Sequence, residues 1–505
     1  MIEFPWASAA IVIPLAGALL CGVMSARLAA VVASVSSALT AMAVAVLCWR
    51  VWNVGAFVES LGGWGAPLGI DLYADGVALL MVAMTTVVGI FITVFSLGYF
   101  RDVPDSEREN SHSRGLYWSL WLVVWAAMHG IFLSSDLFNI YVCMEVVGIG
   151  SVALVAMAGS MALRAAMRYL LITLCGSLLY LLGVALIYGG WGMLDMQALG
   201  PVVEATLASE VALAAMALGL ALKTALVPLH FWLPAAHANA PAPVSALLSA
   251  LVVKASFYVL LRLWIDVFPA IDKAAAMMVL GVLGTVAIVW GSVQALRQNR
   301  LKMLVAYSTV AQLGYLFVAF APASTVAGAG VAWHGVIYFA VAHGCAKGAM
   351  FLAAGAIAAA LGDDDFSSMR GRGRHLAVPL VAFALAGIGL MGLPPSGGYT
   401  AKWLLLTAAA RADQPVVAFV VTAGGLLAAL YVFKVLYYAF ARPVSGSGSD
   451  AGETGEVQAI PTTMMVAPLM LAIVAVLLGV WSAPPLHLLD IGLPFGEALG
   501  PGLKP

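Results

Sequence analysis

Charge is what this sequence has least of. Asp, Glu, Lys and Arg make up 9% of its 505 residues, against about 25% in a soluble domain. With 63% hydrophobic residues and a mean hydropathy of +1.03, too much apolar surface exists to hide from water. A soluble fold is therefore excluded, and the chain is a polytopic membrane protein. The two signs nearly cancel to a net charge of −1, which points away from a nucleic-acid partner. Cysteine is scarce too: Cys21, Cys48, Cys143, Cys175 and Cys345 are scattered, with no CxxC and no His/Cys ligand spacing. They read as small core residues, not as metal ligands or disulfides. There is no P-loop, Rossmann glycine pattern, GxSxG or HExxH. No catalytic residue, cofactor or metal site is expected, and the many glycines read as helix-packing residues.

What is present is long apolar runs. A span needs about 20 apolar residues. Fourteen stretches qualify, near 5–23, 27–51, 75–99, 115–133, 136–158, 166–190, 209–239, 243–266, 275–296, 302–321, 330–361, 376–411, 415–440 and 462–482. The first lacks a basic leader and carries Glu3, so it reads as a retained membrane helix, not a signal peptide. The seventh and twelfth are too long for plain spans and contain helix breakers, "VPLHFWLP" and "GLPPSGGYTAK". The two breaks lie five spans apart. Five is odd, so two five-helix units following the same path would lie upside down to each other. The expected fold is all-α, with two inverted five-helix repeats and broken helices seven and twelve. The expected divisions are 1–114 (helices 1–3), 115–266 (helices 4–8), 267–440 (helices 9–13) and 441–505 (a cytoplasmic linker and helix 14).

Loop charge orients the chain. The odd-numbered connections hold Arg27, Arg101, Arg108, Arg114, Arg164, Arg168, Arg297, Arg300, Lys302, Arg370, Arg372, Arg374 and Arg442. The even connections and tails hold only Arg50, Arg262, Lys273, Arg411 and Lys504. The positive-inside rule then puts both termini outside a bacterial-type inner membrane. "GDDDFSSMRGRGRH" reads as a solvated loop, and "RPVSGSGSDAGETGEVQAIP" as a flexible cytoplasmic linker.

Subtracting loop charges leaves Lys223, Lys254, Lys347, Lys402 and Lys434, and among the acids Glu145, with Asp75 and Asp136 at span starts. Each buried charge costs about 2.5–3.5 kcal/mol on insertion scales. Five facing lipid would cost on the order of 12–17 kcal/mol. They must therefore face the bundle interior, pair, lose protons or line a wet path. All five are lysine. Arginine holds its proton permanently, whereas a desolvated lysine can give one up. Such a row, with one carboxylate, is what a proton relay needs. Glu145 lies nine residues past Asp136, or about 13–14 Å along a helix. Lys223 precedes Pro228, where helical hydrogen bonding fails. His343 and Lys347 share a face at i, i+4, with His334 roughly opposite. His230, His237, His334 and Asp136 are candidate further members. Lys434 sits near a helix end and can snorkel. His129, Phe231, Trp232 and Tyr258 read as packing residues.

"DLFNIYVCMEVVGIGS", "LKTALVPLHFWLPAAHANAPAPVSALLSALVVKASFYVLLR", "LKMLVAYSTVAQLGY", "HGCAKGAMFLAAGAI" and "GLPPSGGYTAKWLLL" resemble the antiporter-like subunits shared by Mrp-type sodium/proton antiporters, respiratory complex I and membrane-bound hydrogenases. The wording is most similar to the D-type member of the Mrp set. The resemblance implies a Glu145–Lys223 pair, Lys254 as the next relay lysine, His343 and Lys347 as the central connection, and Lys402 in the second broken helix. Some relatives carry glutamate at that last position. The chain ends soon after helix fourteen, unlike the largest complex I member with its long amphipathic arm. The implied function is a proton-translocating subunit of a multi-subunit cation (sodium)/proton antiporter. A proton-pumping subunit of a redox complex is the alternative, and a non-conducting scaffold the third reading. Expected partners are the lipid bilayer, protons, sodium as a second cation, and other antiporter or complex I-like subunits.

Overall fold

In the computed structural model, the described residues are 4–101, 108–442 and 457–493. Glu3, most of the linker and Lys504 lie outside them, as do the side chains of Arg108 and Arg114. Thirteen helices among the described residues are long and apolar enough to cross a membrane. The twelfth span is made of two shorter helices, Ala377–Met391 and Gly397–Arg411. Counting this pair gives fourteen crossings. The seventh is also broken, into Leu207–Thr224 and Leu233–Asn239. One small departure from an all-helical chain is an antiparallel hairpin, Phe57–Ser60 against Asp71–Ala74, between the second and third spans.

The internal repeat is visible in the loops. Leu137 N–H donates to the Leu194 carbonyl and Met196 N–H to that of Ser135, tying the start of the fifth span to the end of the sixth. Leu301 N–H donates to Asp364 and Phe366 N–H to Asn299, tying the tenth span to the eleventh in the same way. A one-turn helix follows each bridge, Met196–Leu199 and Phe366–Met369. The two copies are five spans apart, so they lie on opposite membrane faces.

Burial divides the spans as lipid contact requires. The eighth (Ala242–Val267), tenth (Leu301–Ala323) and eleventh (Val326–Leu361) are sheathed by other helices. The sixth (Ser160–Trp191), ninth (Ala274–Arg297) and thirteenth (Pro415–Phe440) expose Leu, Val and Phe along one side, as lipid-facing helices do. Small residues set how closely helices approach. A Cβ on Gly176 would lie 2.7 Å from the Gly219 carbonyl oxygen. That contact draws the sixth span against the first half of the seventh, beside Lys223.

Candidate functional site

Both broken helices end their first half in a left-handed residue: Ala225 (φ 58°) in the seventh span and Gly392 (φ 79°) in the twelfth. Breaking a helix frees carbonyls that no later N–H can reach, and these form the negative end of the helix dipole. Each break has a lysine beside it, and the second uses that end to hold one. Lys223 sits in the last turn before the first break. Lys402 lies after the second break and reaches back, donating Nζ to the Leu390 carbonyl at 2.6 Å and to Met391 at 3.4 Å. Its ammonium also lies 4.2 Å from the centre of the Tyr315 ring. Gly392 has a second reason to be glycine, since a Cβ there would come within 2.6 Å of the Lys402 stem.

Lys223 Nζ lies 3.5 Å from Glu145 Oε1 on the fifth span. The same oxygen accepts a hydrogen bond from Ser177 on the sixth. A small, mostly apolar cavity lies beside Lys223, with Thr173, Tyr169 and Ser256 among its lining, room for about one water. Trp232 stacks on Tyr169 at 4.5 Å and donates its indole N–H to the freed Leu222 carbonyl, so the broken segment is packed, not loose.

Between the two breaks, hydroxyl groups lie among the lysines, and among the described residues Lys347 bonds one directly. Thr224, next to Lys223, donates to Ser256 at 2.9 Å on the eighth span. Lys254, fully buried on that span, donates to the Ser249 carbonyl. The Ser249 hydroxyl bonds Thr309 of the tenth span at 2.9 Å. Its neighbour Ser308 accepts from Lys347 Nζ at 2.6 Å, and Lys347 also donates to the Val305 carbonyl at 2.8 Å. Gln312, one turn on, donates to Tyr431 at 3.0 Å and lies 3.5 Å from the Leu390 carbonyl that holds Lys402. His343 is buried within electrostatic reach of Lys254, Lys347 and Lys402, stacked on Phe339, with neither ring nitrogen partnered. Lys223, Lys254, His343, Lys347 and Lys402 therefore form one buried band, with the partly buried Glu145 at its edge.

The remaining candidates divide. His237 is fully buried at the end of the first break, stacked on Phe351, with Nδ1 donating to the Ser245 carbonyl at 3.2 Å and Nε2 unpartnered. His230 is partly exposed in the break itself, its Nδ1 unpartnered. His334 faces away from the band, between the Gly330 carbonyl at 2.7 Å and Asp490 at 2.8 Å. Asp136 caps the fifth span, accepting from Asn139 N–H at 2.6 Å. His129 is packed as a polar group, held by Ala10, Trp125 and Thr86. Lys434 reaches the end of the ninth span, donating to the Leu296 and Gln298 carbonyls.

Charge counting along the sequence assigned Arg262 and Lys302 to loops; the structure corrects this. Arg262 is buried, pairing with Asp75 and Asp266, and Lys302 is buried against the Ala240 carbonyl. Both sit at span ends, where linear reading cannot tell a solvated cation from one turned inward. Tyr258, read as packing, belongs to the Arg262 cluster. Ser177, Ser249, Ser308, Thr309 and Gln312 were also missed. The run "YSTVAQ" in an otherwise apolar span was the only signal, and hydroxyls commonly bond their own helix instead.

The family described as NADH:quinone oxidoreductase/Mrp antiporter, TM, matches residues 134–428, more than half of the chain. The chain belongs to that family. The matched region carries every residue of the buried band. Over 465 residues, 90% of each chain, it is 30% identical to the N subunit of the NADH-quinone oxidoreductase of Desulforudis audaxviator. Over 394 residues, 77% of each chain, it is 32% identical to the D subunit of the Na(+)/H(+) antiporter of Alkalihalophilus pseudofirmus. Its fold matches a chain of the Mrp complex from Dietzia sp. DQ12-45-1b with a TM-score of 0.84 and 24% identity, covering 98% of this chain and 97% of that one. As a member of the NADH:quinone oxidoreductase/Mrp antiporter family, the chain is a multi-pass integral membrane protein with two inverted five-helix repeats.

Proposed function

We propose that this chain is the proton-translocating subunit of a multi-subunit cation (sodium)/proton antiporter, working beside other membrane subunits. The observation that carries the reading is the buried band itself. Glu145 faces Lys223 at one break, Lys402 sits on freed carbonyls at the other, and Lys254, Lys347 and His343 lie between them. The similarity to the D subunit of an Na(+)/H(+) antiporter supports it.

The chemistry follows from the geometry. At 3.5 Å, opposite charges attract by about 5 kcal/mol at an effective dielectric near 20. Moving a proton onto Glu145 removes that attraction and frees Lys223 to pass its own proton inward. Thr224 and Ser256, then Ser249, Thr309 and Ser308, lie between successive lysines as hydroxyls that both donate and accept. Each new charge on the band repels the next cation, so occupancy of one site drives its neighbour. The functional units are residues 115–266 and 267–440, and the odd-numbered connections face the cytoplasm, with both termini outside. Sodium is the exchanged cation.

A second reading is a proton-pumping subunit of a redox complex, favoured by 30% identity over 90% of both chains to the N subunit of an NADH-quinone oxidoreductase. Purifying the chain with its native partners and reconstituting the complex separates the two. Antiport appears as proton movement driven by a sodium gradient. A redox subunit moves protons only with electron donor and quinone, alongside iron–sulfur subunits. Wild-type transport by both Glu145→Ala and Lys223→Ala would overturn either version.

A further inference from the structure

The bridges between spans fix the register of the two repeats. Leu137 opens the fifth span and Leu301 the tenth, and their N–H groups make the same hydrogen bond, to the Leu194 and Asp364 carbonyls. Glu145 lies eight residues after the first, and Thr309 eight after the second. The sixth and eleventh spans are each followed by a left-handed glycine, Gly192 (φ 68°) and Gly362 (φ 84°). Ser177 lies fifteen residues before the one, and Lys347 fifteen before the other. The Glu145–Ser177 contact and the contact of Lys347 with the Ser308–Thr309 turn therefore occupy the same place in the two copies. In the first, Ser177 donates to Glu145 Oε1. In the second, Lys347 Nζ donates to Ser308 at 2.6 Å. The direction of donation is kept, and the charge has changed sides. An anion accepts from a neutral hydroxyl in one copy, and a cation donates to a neutral hydroxyl in the other.

A hydroxyl on a membrane helix commonly bonds the carbonyl one turn back. Thr85, Thr86 and Ser96 do so here. Ser177 is just as buried, yet it points across to the carboxylate of another helix. The residue before it makes room for the lysine that shares this oxygen. A Cβ on Gly176 would come within 3.1 Å of Lys223 Cγ. Glu145 Oε1 thus meets two donors of different kind. Lys223 stands at 3.5 Å, the outer limit of a hydrogen bond, and carries the proton that the relay moves. Ser177 has a hydroxyl that stays neutral and keeps its proton.

We propose that Ser177 is a positioning residue of the relay: its hydroxyl holds the Glu145 carboxylate in place while Lys223 gains and loses its charge, and so sets how readily Glu145 takes up a proton. This rests on the relay reading above. A hydrogen bond donated to an ionised group favours that form, and Ser177 still donates after Lys223 has turned neutral. The charged group facing Glu145 is Lys223 of the seventh span. The second half of that span carries His237, engaged by Ser245 and Phe351. The sixth span adds Tyr169, stacked on Trp232, and the exposed Cys175. The fourth span packs on the fifth where Gly130 meets Cys143 and Val124 meets Gly150, and its His129 is held by Ala10 and Trp125. On the fifth span itself, Asp136 caps the helix nine residues away.

The test is the titration of Glu145 in the purified whole complex, read by infrared spectroscopy from the carboxylic-acid C=O band that Glu145→Gln removes. Ser177→Ala is expected to raise the midpoint of that band by about one pH unit, the tenfold change carried by one hydrogen bond to a charged group. Ser177→Thr keeps a hydroxyl and is expected to return the midpoint to its wild-type value. The pH profile of proton transport by the same complexes in vesicles is expected to move with the midpoint. An unmoved midpoint in Ser177→Ala would make Ser177 a packing residue and overturn the proposal. A slower rate with an unmoved pH profile would overturn it too, as would a Ser177→Thr midpoint equal to that of Ser177→Ala. Those outcomes spare the relay. Wild-type transport in Glu145→Gln sinks the relay and, with it, the role of Ser177.

Discussion

The two breaks hold a buried lysine by different physics. At the first, Lys223 faces a carboxylate, Glu145, across 3.5 Å. At the second, Lys402 meets no carboxylate among the described residues and rests on two carbonyl oxygens and the Tyr315 ring. A charge partner can be switched off by one proton. Carbonyls and a ring face cannot. In the proposed relay, the first break is the one that changes its hold on a proton, and the second offers a fixed seat. The turn residues differ as well. Ala225 takes the left-handed conformation with a Cβ, and Gly392 takes it without one.

The largest expected effect tests that asymmetry directly. Glu145→Gln removes the switch and is expected to cut transport about a hundredfold, within the range for losing a proton-transfer group. Lys402→Gln, which keeps an N–H donor on a shorter stem, is expected to be milder when both are assayed in the same reconstituted complex. Equal losses would erase the distinction. Next, Ser308→Ala takes the 2.6 Å partner from Lys347 and is expected to slow transport about tenfold, with the Glu145–Lys223 end intact. Gly392→Ala then tests the turn. It forces a Cβ into a positive φ and into the Lys402 stem, and is expected to cost about 1–2 kcal/mol, read as a lower melting midpoint in detergent. The smallest effect is the mirror change. Ala225→Gly relieves a left-handed alanine and is expected to leave transport unchanged, with stability moved by no more than about 1 kcal/mol. If Ala225→Gly slows transport as Ser308→Ala does, Ala225 sets the position of Lys223 and its strain is part of the mechanism.

Much of the fold was legible because the free energy of membrane insertion is set residue by residue. Fourteen apolar runs appear as fourteen crossings, and the prolines at Pro228 and Pro395 mark where two of them break. The buried lysines were legible for the same reason, since Lys254 and Lys347 stand too deep in apolar runs to be loop charges. Arg262 and Lys302 escaped because a span end is compatible with either solvent or the interior. Ser308 and Thr309 escaped because a hydroxyl costs little in a membrane helix and does not stand out there.

The sequence by itself determined that this chain crosses the membrane repeatedly, that two crossings are interrupted, and that five lysines and one glutamate had to be answered from within. Those follow from the free energy of moving each side chain out of water, which depends on residue type and local run length. Only the tertiary structure decided which group answers which. Glu145 and Lys223 are 78 residues apart; Gly176 and Gly219 let the sixth and seventh backbones touch, and Gly176 leaves room for the Lys223 stem that reaches Glu145 on the fifth. Lys347 finds Ser308 because the tenth and eleventh spans are both sheathed by other helices. Asp75 and Arg262, 187 residues apart, share a buried site that neither end of the chain foretells. Partner choice depends on distances between helices, and those are set by packing over the whole bundle rather than by any one stretch of it.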